Sequence, residues 1–295
     1  MTMATTVLTE SPSLGSLYVR AALPALPGAD LVPALRKPVS DSLPDTRLEL
    51  QGVGFDLGHV SRYREVCGFP QAAAIPPTYP HVLAFPLHLA LMTAQEFPLA
   101  VLGAVHIENT IDQLRPLHPD DLFDLSVQAT QLGPHPRGRT VTLLSEASVD
   151  GELVWRDVSV FLSRGRSSGE RSGPVAEVPA DAPAGPIRWS LDGGLGRRYA
   201  AVSGDRNPIH LSRVTAKAFG FPTQIAHGMW TKARVLAALA PRLPAAFAVT
   251  VSFRKPVRLP STVSLGARGR EGNIDFGLTS VSTGEPHLLG RLTRR

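Results

Sequence analysis

Residues 46–164 and residues 187–295 carry the same order of hydrophobic and polar patterns. In the first stretch Asp56 can cap a helix that runs to Cys67, with Gly68 as its stop. After the Pro-rich IPPTYP, residues Phe85 to Phe97 are apolar on most sides, the pattern of a buried helix. Four runs rich in Val, Ile, Leu and Thr follow, near 104–114, 122–132, 139–149 and 153–163, and Asp150-Gly151 is a hairpin turn between the last two. The second stretch predicts a short helix ending near Ser203. A further helix runs from Ser212, its cap, to Phe219, and a longer one spans 228–240 with Pro241 at its end. Strands follow near 246–255, 261–270, 274–282 and 287–293, with turns at Glu271-Gly272 and Gly284. One buried helix followed by an antiparallel meander is best covered by a curved sheet wrapped round that helix. Two such units can join edge to edge and so protect their strand edges. The expected class is α+β with two related lobes.

Short repeats support this reading. Tyr63-x-x-Val66-x-Gly68 recurs as Tyr199-x-x-Val202-x-Gly204, and Arg115-Pro116-Leu117 recurs as Lys255-Pro256-Val257. The offsets are nearly equal. Between the units, residues 165–186 are rich in Gly, Pro, Ser and Ala with no apolar period, which predicts a linker. Residues 1–45 form an N-terminal extension with little pattern and no evident function.

Composition narrows the function. The chain has 295 residues, 43% hydrophobic and 19% charged, enough for a substantial core. The net charge is +5, but the basic residues are scattered and not interleaved with aromatics, which argues against nucleic acid as the partner. The plain reading is a solvated, mildly basic surface; the sharper one is attraction to a phosphorylated or acidic partner such as coenzyme A or an acyl carrier protein. The one cysteine, Cys67, lies in an apolar stretch and reads as a small buried hydrophobe. No signal-peptide pattern or spanning apolar run is evident, so a cytoplasmic protein without a membrane partner is expected.

The candidate chemistry lies in YAAVSGDRNPIHLSRVTAKAFGFPTQIAHGM, residues 199–229. Pro208 breaks a helix and biases Asn207 to extended backbone, so Asp205 and His210 fall on a loop. There they can share a water and divide acid and base work. A capping Asp in a local turn beside an incidental surface His is the other reading. A metal site is disfavoured, because no further ligand cluster accompanies the loop. Gly228 precedes the long helix. Its bare backbone N–H can meet a ligand at a helix N-terminus and stabilise a carbonyl that gains negative charge. A plain packing glycine fits equally, and His227 reads as a packed neighbour. The first unit lacks the polar loop: after Gly68 it continues FPQAAAIPPTYP.

The string S-G-D-x-N-P-I-H followed by I-A-H-G-M resembles the MaoC-like, (R)-specific enoyl hydratase family. Tyr199, Ser203, Gly204, Asp205, Asn207, Pro208, His210, Ala218, Phe219, Gly220, Ile225, His227, Gly228 and Met229 carry the match. The segments PPTYPHVLAFPLHLALM, GAVHIENTIDQLRPL and VSFRKPVRLP extend it toward the two-lobed 3-hydroxyacyl-thioester dehydratases of actinobacteria, over residues 45–295. The resemblance implies a double hot-dog fold, with a non-catalytic lobe at 46–164 and a catalytic lobe at 187–295. It implies reversible loss of water from an (R)-3-hydroxyacyl thioester of coenzyme A or an acyl carrier protein, with no metal or redox cofactor. Asp205 and His210 would be the catalytic pair and Gly228 the carbonyl donor, supported by Asn207, Ser203 and Tyr199. A hot-dog thioesterase and a non-catalytic acyl-thioester binder are the alternatives. Leu87, Leu91 and Met92 are candidates for an acyl tunnel or for simple core. The chain is expected to act as a pseudo-dimeric monomer or as a homodimer.

Overall fold

Strands β3 (Val105–Gln113) and β8 (Phe247–Phe253) run antiparallel, and the two lobes meet along the seam between them. The computed structural model describes residues 4–23, 41–171, 176–270 and 272–295. In the first lobe, β2 (Thr46–Val53), α2 (Leu57–Cys67) and α3 (Tyr79–Thr93) precede β3, and β4 (Phe123–His135), β5 (Gly138–Val149) and β6 (Glu152–Arg164) follow it. In the second lobe β7 (Ile187–Leu191), α4 (Leu195–Ser203), α5 (Pro208–Leu211), α6 (Arg213–Ala218) and α7 (Gly228–Leu239) precede β8. The meander β9 (Ser261–Arg270), β10 (Asn273–Ser280) and β11 (Pro286–Arg294) follows. One sheet contains all the described strands; inside an N-terminal edge strand, β1 (Ala4–Leu8), its order runs β2-β4-β5-β6-β3 and then β8-β11-β10-β9-β7. The second half mirrors the first about the seam. Thr110 pairs with Thr250 there, and Thr110 Oγ1 donates to Thr250 Oγ1 at 3.1 Å.

Each lobe buries its long helix. Eleven of the fifteen residues of α3 and nine of the twelve of α7 are buried, so these helices are apolar nearly all round because sheet and neighbouring helices cover them. The repeated tyrosines also meet, with ring centroids of Tyr63 and Tyr199 6.2 Å apart. Asp56 Oδ1 accepts the His59 N–H at 3.1 Å, and Gly68, at φ 74°, ends α2. Asp150 and Gly151, both at positive φ, turn β5 into β6 as their sequence implies. Cys67 is buried.

Three features differ from the pattern reading. Each meander is joined by an earlier short strand, β2 or β7. The latter is largely exposed and shows no clean alternation. Helix α3 starts at Tyr79, not Phe85. Pro80 sits in the first turn, where its missing N–H costs nothing, and burial on all sides carries the helix through Pro86. The N-terminal extension contains β1 (Ala4–Leu8), paired parallel with β2, and α1 (Leu14–Ala22), packed on α3. Its residues 1–3 and 24–40 lie outside the described residues, as do 172–175 of the linker segment and Glu271 of one turn.

The described parts of 165–186 have no helix or strand, yet they are held down. Gly185 carbonyl accepts from Ser264 Oγ at 2.8 Å, and Arg171 makes two short bonds to Glu108, at 2.6 and 2.7 Å. Pro183 lies so close to Gly266 that a Cβ there would sit 1.9 Å from the Pro183 carbonyl oxygen. Small residues on both sides allow this contact, which a hydrophobic-period argument does not register. No described helix is long and apolar enough to cross a membrane.

Candidate active site

The loop after α4 is shaped by its own sequence. Gly204, at φ 74°, stops α4, and a Cβ there would also meet Leu14 of α1 at 2.5 Å. Ser203 Oγ accepts the Asp205 N–H at 3.2 Å, and Asp205 Oδ1 accepts the Asn207 N–H at 3.0 Å. Asn207 then crosses to the first lobe: its Nδ2 donates to Ala104 carbonyl and its Oδ1 accepts the Gly103 N–H, both at 3.2 Å. Pro208 opens the one-turn helix α5, which carries His210. Gly196 of α4 lets α5 approach; a Cβ at that glycine would lie 2.0 Å from His210 carbonyl oxygen.

His210 is buried, and its Nδ1 lies 2.8 Å from Ile225 carbonyl. A carbonyl only accepts, so Nδ1 carries the proton and Nε2 keeps its lone pair. Burial holds the His210 pKa below the ordinary histidine value, against the opposing pull of Asp205. His227 stacks on His210 with centroids 3.7 Å apart and planes at 24°. Its Nε2–H donates to Asp205 carbonyl at 2.9 Å. Burial, with His210 adding to it, pushes His227 down to about 3, so it is neutral near pH 7 and its 3.8 Å approach to Asp205 Oδ2 is not an ion pair. Tyr199 closes the far side, 4.9 Å from the His227 ring.

Gly228 is the first residue of α7, with no side-chain cap before it. Its N–H is among those a helix leaves without an internal acceptor. Space favours the glycine, because a Cβ would press on the Phe253 ring at 3.1 Å and the ring would have to shift.

One cavity of about 360 Å³ joins these groups, a size that suits a small ligand. Tyr199, Ser203, Asp205, Asn207, His210 and Gly228 all line it. The first lobe supplies Val82, Phe85, Leu89 and Met92, one face of α3 at helical spacing. Leu87 and Leu91 point away into the core, which leaves Met92 alone of the three tunnel candidates on the cavity wall. Exposed Arg254, Lys255 and Arg258 give the cavity a basic rim. Ligand atoms of Asp205, His210 and His227 lie within 4.8 Å of one another, as a metal site would require. The two imidazoles are stacked, however, so their in-plane lone pairs do not converge on one point, and one nitrogen of each is committed to a carbonyl.

Tyr18 was not legible as a site residue. It stands on α1, lines the cavity, accepts the Arg206 N–H at 2.6 Å and donates to Gly204 carbonyl at 3.1 Å. No local motif marks it, because its partners lie 186 and 188 residues away.

The model of the MaoC like domain matches residues 194–287. The 3-hydroxyacyl-thioester dehydratase X of Mycobacterium tuberculosis is 38% identical over 283 residues, 95% of this chain and 98% of that protein. The (R)-specific enoyl-CoA hydratase of Rhodospirillum rubrum is 39% identical over 104 residues, 32% of this chain and 72% of that one. The crystal structure of HtdX from Mycobacterium tuberculosis superposes with a TM-score of 0.75 at 36% identity, covering 84% of this chain and all of that one. A match of this identity across nearly both full lengths, on a two-lobed hot-dog fold, makes this chain a member of the MaoC-like dehydratase family.

Proposed function

We propose that the protein is a 3-hydroxyacyl-thioester dehydratase that interconverts (R)-3-hydroxyacyl and trans-2-enoyl thioesters of coenzyme A or an acyl carrier protein. The observation that carries this reading is the placement of Asp205 within 4.8 Å of a neutral, buried His210 whose Nδ1, not its Nε2, is committed to the Ile225 carbonyl. In the hydration direction the thioester carbonyl accepts the Gly228 N–H, which makes C3 electrophilic. Asp205 and His210 hold a water over C3. One of them takes a proton from it as the oxygen adds to C3, and a proton is delivered to C2. The reverse removes a C2 proton and expels the C3 hydroxyl as water. The two groups share one proton inventory, so the roles of acid and base belong to the pair.

Residues 187–295 act as the catalytic lobe. Residues 46–164 act as the non-catalytic lobe, whose α3 face offers an apolar wall to the acyl chain. The basic rim suits the phosphates of coenzyme A or of a carrier protein's prosthetic arm. One chain supplies both lobes, so a monomer suffices as a pseudo-dimer. Use of coenzyme A or carrier-protein thioesters, which are intracellular metabolites, supports a cytoplasmic setting for the reaction.

The test follows the absorbance of crotonyl-CoA and a medium-chain trans-2-enoyl-CoA, with parallel assay of free thiol. Loss of the enoyl band without thiol, abolished in Asp205→Ala and His210→Ala, is the expected result. Release of thiol would instead make the protein a thioesterase, and inertness toward both substrates and their carrier-protein forms would leave a binding role.

A further inference from the structure

The cavity has a second polar region that the dehydration chemistry does not use. His81 and His88 of α3 and His106 at the start of β3 line it from the first lobe. His88 lies seven positions after His81, two helical turns, so both share the α3 face that carries Phe85 and Leu89. His81 is anchored: its Nδ1–H donates to Asp157 at 3.0 Å. Asp157 is fully buried and also accepts from Asn109 Nδ2 at 2.9 Å and Ser159 Oγ at 2.6 Å. Asn109 in turn accepts from Lys232 of the second lobe. His106 stacks on His81, 5.9 Å between centroids, and on Phe161, 4.4 Å. His88 Nε2 pairs with Ser145 Oγ at 2.7 Å.

Two atoms of this group stand out. His106 Nε2 and His88 Nδ1 are buried and have no hydrogen-bond partner among the described residues. Burial drives both imidazoles far below the ordinary histidine pKa, so each is neutral and offers a donor or an acceptor, not a charge. Leaving such an atom unpaired is unfavourable, and a ligand that supplies the partner gains by it.

The position sets the ligand. Phe253 lies against Gly228 on one side, and its ring centroid is 5.2 Å from that of His106 on the other. His106 is therefore one aromatic ring away from the amide assigned to the thioester carbonyl. A charged nucleotide must stay at the exposed basic rim, whereas His81 and His88 are buried among apolar side chains. An acyl chain, not the coenzyme, fits the buried end.

We propose that the first-lobe histidines form a polar acyl subsite, with His106 as its principal contact, that recognises an oxygen substituent on the acyl chain remote from the reacting carbons. A hydroxyl or a keto oxygen satisfies the chemistry, since a neutral imidazole presents one N–H and one lone pair. This rests on the dehydratase reading for the orientation of the chain.

The test compares a plain medium-chain trans-2-enoyl-CoA with isomers carrying one hydroxyl on successive carbons beyond C4. It uses the full chain in wild type, His106→Phe and His106→Gln. Binding of the matching saturated acyl-CoAs and of free coenzyme A is measured by calorimetry, which needs no turnover. The expected result is that wild type favours at least one hydroxylated isomer by about tenfold, the effect of one good hydrogen bond. His106→Phe abolishes that preference, read as the ratio of hydroxylated to plain substrate, and His106→Gln restores part of it. The proposal is overturned if wild type prefers the plain chain to every isomer in both assays. It is also overturned if His106→Phe weakens plain, hydroxylated and free coenzyme A binding alike, which assigns the contact to the amides of the pantetheine arm. Failure of all turnover with a hydroxyl preference retained in binding would strike the dehydratase reading alone.

Discussion

Tyr18 and Arg206 are joined by a 2.6 Å hydrogen bond from the Arg206 backbone N–H to the Tyr18 hydroxyl oxygen, and this bond ties the N-terminal helix to the loop that carries Asp205. The same hydroxyl donates to Gly204 carbonyl, so it spans the loop on both sides of the carboxyl group. Tyr18→Phe keeps the ring and removes both bonds. Two such bonds contribute roughly 1–3 kcal/mol together. The variant is expected to lose on the order of tenfold or more in kcat/KM with a far smaller change in melting temperature. Equal loss in both would make Tyr18 a structural residue only.

Removal of either member of the central pair is more severe. Asp205→Asn and His210→Gln keep shape and polarity while changing proton chemistry. Each is expected to lower kcat by about 10²–10⁴. The double variant should fall little further than the singles, because in the proposed mechanism the two act on one water. Steady-state kinetics with circular dichroism as a folding control checks both statements.

The pH response has a definite sign. In the proposed mechanism His210 acts through its neutral form, and burial lowers its pKa below 6.5, with Asp205 opposing and His227 stacked above it. Activity is therefore expected to persist as pH falls through 6.5 and to decline only at lower pH. A kcat/KM profile with an acid limb centred at or above 6.5 would contradict this. Stability moves in the same direction. His88 and His227 titrate near 3 when folded and near 6.5 when unfolded, so the unfolded chain binds more protons between those values. Their contribution is present above 6.5 and is lost as pH falls toward 3. Chemical denaturation at stepped pH reads this slope.

Lys232 supplies the opposite limb. Its ammonium is fully buried across the seam, donating to the carbonyls of Asn109 and Val249, and burial pushes its pKa down to about 7. The unfolded lysine titrates at 10.5. Between those values the unfolded chain holds the extra proton, so this group makes stability rise with pH from about 7 to about 10.5. Lys232→Met should remove that slope. It should also cost roughly 1–3 kcal/mol at the alkaline end, where the neutral amine's hydrogen bonds are lost without replacement. The difference between the two stability–pH curves isolates the effect from other titrating groups.

What was legible in the sequence was what neighbouring residues determine among themselves. Gly204, Asp205, Asn207 and Pro208 shape a loop through local bonds and backbone limits, so their spacing together with the family resemblance marked it, although His210 sits on the one-turn helix that Pro208 opens and not on the loop itself. The meanders were legible because β-branched runs and an Asp-Gly turn are local signals too. Tyr18, and the path from Lys232 through Asn109 and Asp157 to His81, were not. Their contacts span 48 to 188 residues: Tyr18 and Lys232 reach theirs only when the extension and the two lobes dock, and the Asp157 contacts form only when α3, β3 and β6 of the first lobe pack together. The start of α3 was hidden for a different reason: Pro80 and Pro86 read as breakers, and burial outweighed them.

The seam at Thr110 and Thr250 pairs a residue with its own counterpart, as a two-fold axis does between identical subunits. In an assembly of two identical chains every substitution appears twice, beside the reactive loop in one copy and on the facing cavity wall in the other. A single chain carrying both halves is released from that constraint. One half can enlarge or repolarise its wall while the other keeps its reactive loop untouched, so substrate choice and reaction rate can evolve on separate stretches of the same gene.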